Sequence, residues 1–184
     1  TTLAKCYIDK GDKIAAQDAV VTAVEKNPES FDANFSAGQI LARSGSNSNT
    51  VLPYFKKAAE IEPSNSKVLR ELAGTYYDLG NKEESITIFR NAISNEIDKI
   101  IKADLYFNLG VIYSQMCDYE EAEIAFDEAF FLNEEDFEAA LGMARSYEGL
   151  GDNYLNGSEG CGGAFEKDLD KAAKWFRKAE KKIK

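Results

Sequence analysis

Residues 72–92 read LAGTYYDLGNKEESITIFRNA, and their spacing decides the fold. Leu72 is followed by Ala73, then by Tyr76 three residues on, which puts two large side chains and a flat spot on one face of a helix. Gly80 then supplies a residue suited to a left-handed helix end and a tight turn. Beyond it stand Ser85, Phe89 and Ala92, four and three residues apart, the mark of a second helix with one filling ring between two small sites. The small residue on the first helix admits the second one closely. The stretch therefore predicts two antiparallel helices joined by a glycine turn.

The same pattern recurs outward in both directions. Upstream lie Leu3-Ala4, Tyr7 and Gly11, then Ala37-Gly38, Leu41 and Gly45. Downstream lie Leu109-Gly110, Tyr113 and Cys117, then Met143-Ala144, Tyr147 and Gly151. The closing alanines Ala23, Ala58, Ala92, Ala129 and Ala179 are 35, 34, 37 and 50 residues apart. Three residues before them stand Val20, Phe55, Phe89, Phe126 and Phe176. Pro28 and Pro63 end second helices, because proline disfavours helical backbone in the residue before it.

This pattern resembles the tetratricopeptide repeat (TPR), over nearly the whole chain. The resemblance implies an all-α, right-handed solenoid of about five helix pairs in a single array spanning 1–184. The repeats fall at about 1–30, 31–65, 66–102, 103–136 and 137–184, with a loop insertion at 152–167. The sequence departs from the family in places. Asn34, Leu69, Tyr106 and Ala140 stand where the family has tryptophan, and Ile97 and Glu134 replace its proline, so those second helices are expected to run on. A one-residue insertion lies within Ser44–Asn49. The first repeat lacks its leading residues, and the chain is expected to be part of a longer protein.

In this family the first helices line a concave groove. Carried over by position, the groove residues are Phe35, Gln39, Arg70, Glu71, Tyr77, Phe107, Asn108, Val111, Leu141 and Arg145. The alternative role for Phe35 and Phe107 is to fill space between repeats. One subclass clamps the C-terminal carboxylate of heat-shock chaperones. Asn108 matches a clamp position, but Gly74, Glu138 and Gly142 do not, and the clamp is rejected. The resemblance implies a scaffold or adaptor that binds a peptide or protein segment. The alternatives are a sensor module for a small molecule or signalling peptide, and an assembly segment of a larger enzyme.

Composition narrows the chemistry. The 184 residues include no histidine, which excludes Ser-His-Asp and Cys-His catalysis and histidine-bound zinc. The net charge of −10 argues against a nucleic-acid partner, since phosphate binding draws on Lys and Arg. No apolar run approaches the ~18 residues of a membrane helix. No signal peptide is visible, and cytoplasm and bacterial cell envelope both stay open. Cys6, Cys117 and Cys161 form no metal or disulfide spacing pattern and are expected to be free thiols. The insertion lacks the ligands of a calcium loop, with Tyr154 and Gly163 at ligand positions, and Gly160–Gly163 lacks the ending of a phosphate loop. No metal, cofactor or catalytic set is expected, and the chain is read as a binding protein.

Charge is uneven. Residues 103–166 hold one basic and 15 acidic groups, and residues 167–184 hold eight basic and three acidic. The acidic second helix of repeat four, with Asp127 and Glu128, is expected to pair with the basic last helix, with Arg177 and Lys178. Failing that, it is a docking face for a basic partner. Tyr7, Tyr76, Tyr113, Tyr147, Phe55, Phe89, Phe126 and Phe176 are expected in the core.

Overall fold

The computed structural model describes residues 2–133, with Glu148, Asp152 and Arg177 besides. The chain divides into two compact units, Thr1–Asn95 and Glu96–Lys184. The first holds α1 (Thr2–Asp9), α2 (Lys13–Lys26), α3 (Phe31–Ser44), α4 (Ser48–Ile61), α5 (Ser66–Asp78) and α6 (Lys82–Asn95). The second holds α7 (Lys99–Gln115) and α8 (Tyr119–Leu132) among the described residues.

The helix starts follow from capping chemistry. Asp12, Ser30, Asn47 and Asn65 each accept a backbone N–H of the first turn, at 3.0–3.2 Å. Asp98 accepts from Ile100 and Ile101 at 2.9 and 3.1 Å. The ends within pairs are equally uniform. Gly11, Gly45 and Gly80 hold φ of 78°, 90° and 81°, and Cys117 holds 65° in the same seat. At each, two backbone bonds close the last turn, as in Gly80 N–H to the Tyr77 carbonyl and Asn81 N–H to Tyr76. A left-handed backbone strains a side chain, so Cys117 sits where glycine costs less. The insertion within Ser44–Asn49 is absorbed here, between the Gly45 seat and the Asn47 cap.

Two expectations are corrected. The second helix before Ile97 does not run on: α6 stops at Asn95. The Glu96 carboxylate takes the N–H groups of Ile97 and Asp98 at 2.8 Å each, and Asp98 then starts α7. These local bonds replace helical ones and leave Ile97 95% exposed. The 37-residue spacing between Ala92 and Ala129 is instead taken up by α7, which has 17 residues against 14 in α3 and 13 in α5. Nor are the cysteines all free: Cys6 is an exposed free thiol, whereas Cys117 is disulfide-bonded. Sequence spacing carries no information on which distant residues the turns bring together. Cys161 lies outside the described residues.

In the first unit α1 packs on α2 and α3, and each later helix packs on the next through α6. Its core joins Ala4, Val20, Ala37, Ile40, Leu41, Phe55, Ala58, Val68 and Leu72, with Tyr7 and Tyr76 half-buried against them. In the second, α7 packs on α8 around Leu105, Leu109, Tyr113 and Phe126. Phe55, Phe89 and Phe126 are fully buried, as the repeat pattern requires. Tyr147 and Phe176 lie outside the described residues. A Cβ on Gly38 would stand 2.5 Å from the Phe55 ring, and one on Gly110 would stand 2.8 Å from Phe126. Each glycine is thus the floor on which the facing ring lies.

Polar groups also tie neighbouring repeats. Buried Asn34 donates to the carbonyls of Pro28 and Ser30, both at 2.8 Å, and so straps the turn that precedes α3. Lys57 on α4 meets Glu29 in that turn at 2.9 Å. Hydrogen bonding to Glu29 holds the Lys57 ammonium above the ordinary lysine range. Ser85 departs from this economy: it is buried and its hydroxyl finds no partner.

Gly110→Ala should therefore lower stability by about 1–3 kcal/mol through overpacking against Phe126. Ser85→Ala should raise it by about 1 kcal/mol, since an unsatisfied buried hydroxyl is removed where other repeats carry Ala16, Val51 or Ala122. Urea unfolding followed by circular dichroism measures both, and the two changes must have opposite signs.

Candidate functional site

On the first unit, the first-helix face is a row of partly exposed side chains on α3 and α5. Phe31 and Phe35 stack with ring centres 5.4 Å apart, and Phe35 also tilts against the buried Phe55 at 6.0 Å. Phe35 is thus half core and half surface. One turn on, Gln39 donates to Glu71 at 3.4 Å, a bond between first helices of successive repeats. The Arg70 guanidinium lies 3.6 Å from the same Glu71 carboxylate. Glu71 joins two of the predicted groove residues into one polar cluster. Arg70, Gly74 and Tyr77 follow one another along α5 at helical spacing. A Cβ on Gly74 would meet nothing within 4 Å. Unlike Gly38 and Gly110, Gly74 faces open space.

On the second unit, Phe107, Asn108 and Val111 lie on α7, all half-buried. Phe107 tilts against Phe126 at 5.6 Å, the same relation that Phe35 has to Phe55. The Asn108 amide donates along its own helix to the Asp104 carbonyl at 2.6 Å and to the Asp104 carboxylate at 3.3 Å. Beside them Tyr106 is held above the ordinary tyrosine range, first by burial and then by the charge of Glu128. Leu141 and Arg145 lie outside the described residues, as do the 152–167 insertion, all but Asp152, and the expected pairing across 167–184.

Phe31, Gly74 and Asp104 belong to these faces and were not singled out as groove residues from sequence. The signal for Phe31 was present, four residues before Phe35 on one helical face. The signal for Gly74 was a glycine in a helix interior with no turn to make. Asp104 gave only a polar neighbour four residues before Asn108. A separate open depression of about 510 Å3 between α1 and α2 is lined by Leu3, Tyr7, Ala15, Asp18, Ala19, Thr22, Ala23 and Lys26, away from the predicted groove residues. Among the described residues no cluster of His, Cys, Asp and Glu could hold a metal ion, and no helix is long and apolar enough to cross a membrane.

Helix pairs in register, two of them closed by a ring laid on a glycine, with half-open first-helix faces, define an all-α helical-repeat solenoid. Residues 1–66 and 64–134 match two family models, both described as tetratricopeptide repeat. The chain belongs to the tetratricopeptide-repeat family. No curated protein matches it in sequence. Among solved structures it resembles MamA, at 20% identity and a TM-score of 0.73 over 98% of this chain and 94% of that one. It also resembles a tetratricopeptide repeat protein from Parabacteroides merdae, at 22% identity and 0.72 over 98% and 64%. A third is PilW, a type IV pilus biogenesis factor, at 18% identity and 0.70 over 100% and 76%. At these identities the likeness is one of fold.

Tyr106 offers a direct check on this geometry. A raised folded-state value means its contribution to stability is present below the unfolded tyrosine range and is lost as pH rises through the folded one. The absorbance difference between wild type and Tyr106→Phe should place its phenolate above that of an unfolded tyrosine. Glu128→Gln should lower it only in part, because burial is the larger cause.

Proposed function

We propose that this chain is a scaffold or adaptor that binds a peptide or protein segment along its first-helix faces. The carrying observation is the Gln39–Glu71–Arg70 cluster on the first unit. Its groups are only partly buried, so their hydrogen-bonding capacity is held in place yet open to a ligand. A hydrogen-bonding row beside half-exposed Phe35 and Tyr77 suits main-chain pairing with apolar anchorage. Phe107 and Val111 offer a second apolar strip on α7. Binding is favoured over catalysis because these faces bring together no nucleophile with a base. Asn108 is a weaker contact than its position suggested, since its amide already serves Asp104.

Gly74 sharpens the reading. Glycine in a helix interior costs about 1 kcal/mol relative to alanine, and no neighbour of Gly74 demands it. Open space over bare backbone lets a partner's main chain come close. Gly74→Ala should therefore stabilise the fold by about 0.5–1 kcal/mol while weakening capture. In a pull-down from the source organism's lysate, Gln39→Ala/Arg70→Ala/Tyr77→Ala should lose the captured protein, with a melting temperature within about 4 °C of wild type. Capture that survives both changes would move the site off this face.

A further inference from the structure

We propose that the outward face of α8 is a second docking surface, and that it takes a basic amphipathic helix from a partner protein. The inference is independent of the first-helix faces. It comes from comparing the second helices position by position. Five residues before the closing alanine stand Asp18, Pro53 and Thr87 in the first three repeats, but Ile124 in the fourth. Two residues after it stand Glu25, Glu60 and Ser94, but Phe131 in the fourth. All eight positions are exposed. The first three helices thus turn polar residues or proline to water at these seats, whereas α8 turns two large apolar ones. Ile124 is 58% exposed and Phe131 76%.

The pair is seven residues apart, two helical turns or about 10.5 Å along one face. Glu120 and Glu121 lie four and three residues before Ile124, and Glu128 lies three before Phe131, so all three flank the same stripe. They too are exposed. No lysine or arginine occurs anywhere on α8. Two apolar anchors inside an acidic border call for the complementary surface: apolar residues two turns apart, edged by Lys or Arg. A nucleic acid or an anionic membrane would be repelled by that border. A two-fold pairing of this face with itself would set glutamate against glutamate, which argues against a second copy as occupant.

The test uses the whole chain and a fluorescein-labelled, helical leucine–lysine peptide, with a glutamine–lysine peptide of equal charge as control. Ile124→Thr/Phe131→Ser restores a polar face with residues akin to those of repeat three, and its unchanged melting curve verifies folding. Anisotropy titration should show the leucine–lysine peptide binding wild type and the double variant at least about tenfold more weakly. Glu120→Gln/Glu121→Gln should weaken binding at low salt and much less at high salt. The glutamine–lysine peptide should not distinguish wild type from the double variant. Gln39→Ala/Arg70→Ala/Tyr77→Ala should bind the leucine–lysine peptide as wild type does, so a failure here and a failure of the groove are told apart. Equal binding by wild type and the double variant would overturn the proposal. So would self-association of wild type in sedimentation velocity that the double variant abolishes, which would make the occupant a second copy.

Discussion

The described fold depends on a contact made twice, an aromatic ring set against a glycine of the facing helix. Phe126 on Gly110 and Phe55 on Gly38 leave no room for a single added carbon. The contact sets how closely the two helices of a pair approach, and so fixes the angle at which each first helix presents its other face. Phe35 and Phe107 then lean on the same buried rings from outside. A ring that seals the pair thereby also orients the surface residue beside it. Core packing and the proposed binding surface are mechanically joined at these positions, whereas Gly74, one turn beyond Arg70, faces open space with no atom within 4 Å of an added Cβ.

Much of this was legible before any coordinates. The Leu-Ala, Tyr and Gly set placed the first helices and their ends, and the Phe-x2-Ala set placed the rings. Such features are local: a small residue, a large one and a turn former act within one helix pair, and their spacing is visible in the chain. What was not legible depends on distance in space or on choice among local partners. Gln39 and Glu71 are 32 residues apart, and nothing in either residue announces their bond. Asn108 was placed correctly on α7, but its amide chose Asp104 over open solvent. The disulfide at Cys117 depends on what the turns bring near it. The early stop of α6 is different, because Asp98 ahead of Ile100 and Ile101 is a readable cap. There the capping carboxylates of Glu96 and Asp98 stop the helix without a proline.

The two charged features of the surface work by different physics. Glu71 is shared between Gln39 and Arg70, so its charge is spent within the molecule, and a ligand there competes for bonds already formed. Recognition as proposed for that face rewards geometry, because exchanging one hydrogen bond for another gains little energy. Glu120, Glu121 and Glu128 on α8 are exposed, and at the proposed docking face they act at range through the field they create. For the cationic partner proposed there, that field shortens the search and leaves discrimination to the apolar pair in its midst.

The four left-handed turn seats carry one further consequence. Gly11, Gly45, Gly80 and Cys117 occupy equivalent places at one end of each helix pair, with the backbone held by the same two hydrogen bonds. Cysteine at the fourth shows that the seat accepts a residue with a side chain without loss of the turn. Within the first unit, Gly11, Gly45 and Gly80 are therefore interchangeable mounting points, one per repeat. A probe attached at any of them would sit in the same local frame. The array thus carries a built-in ruler, graduated by the repeat, along which a bound segment could be mapped.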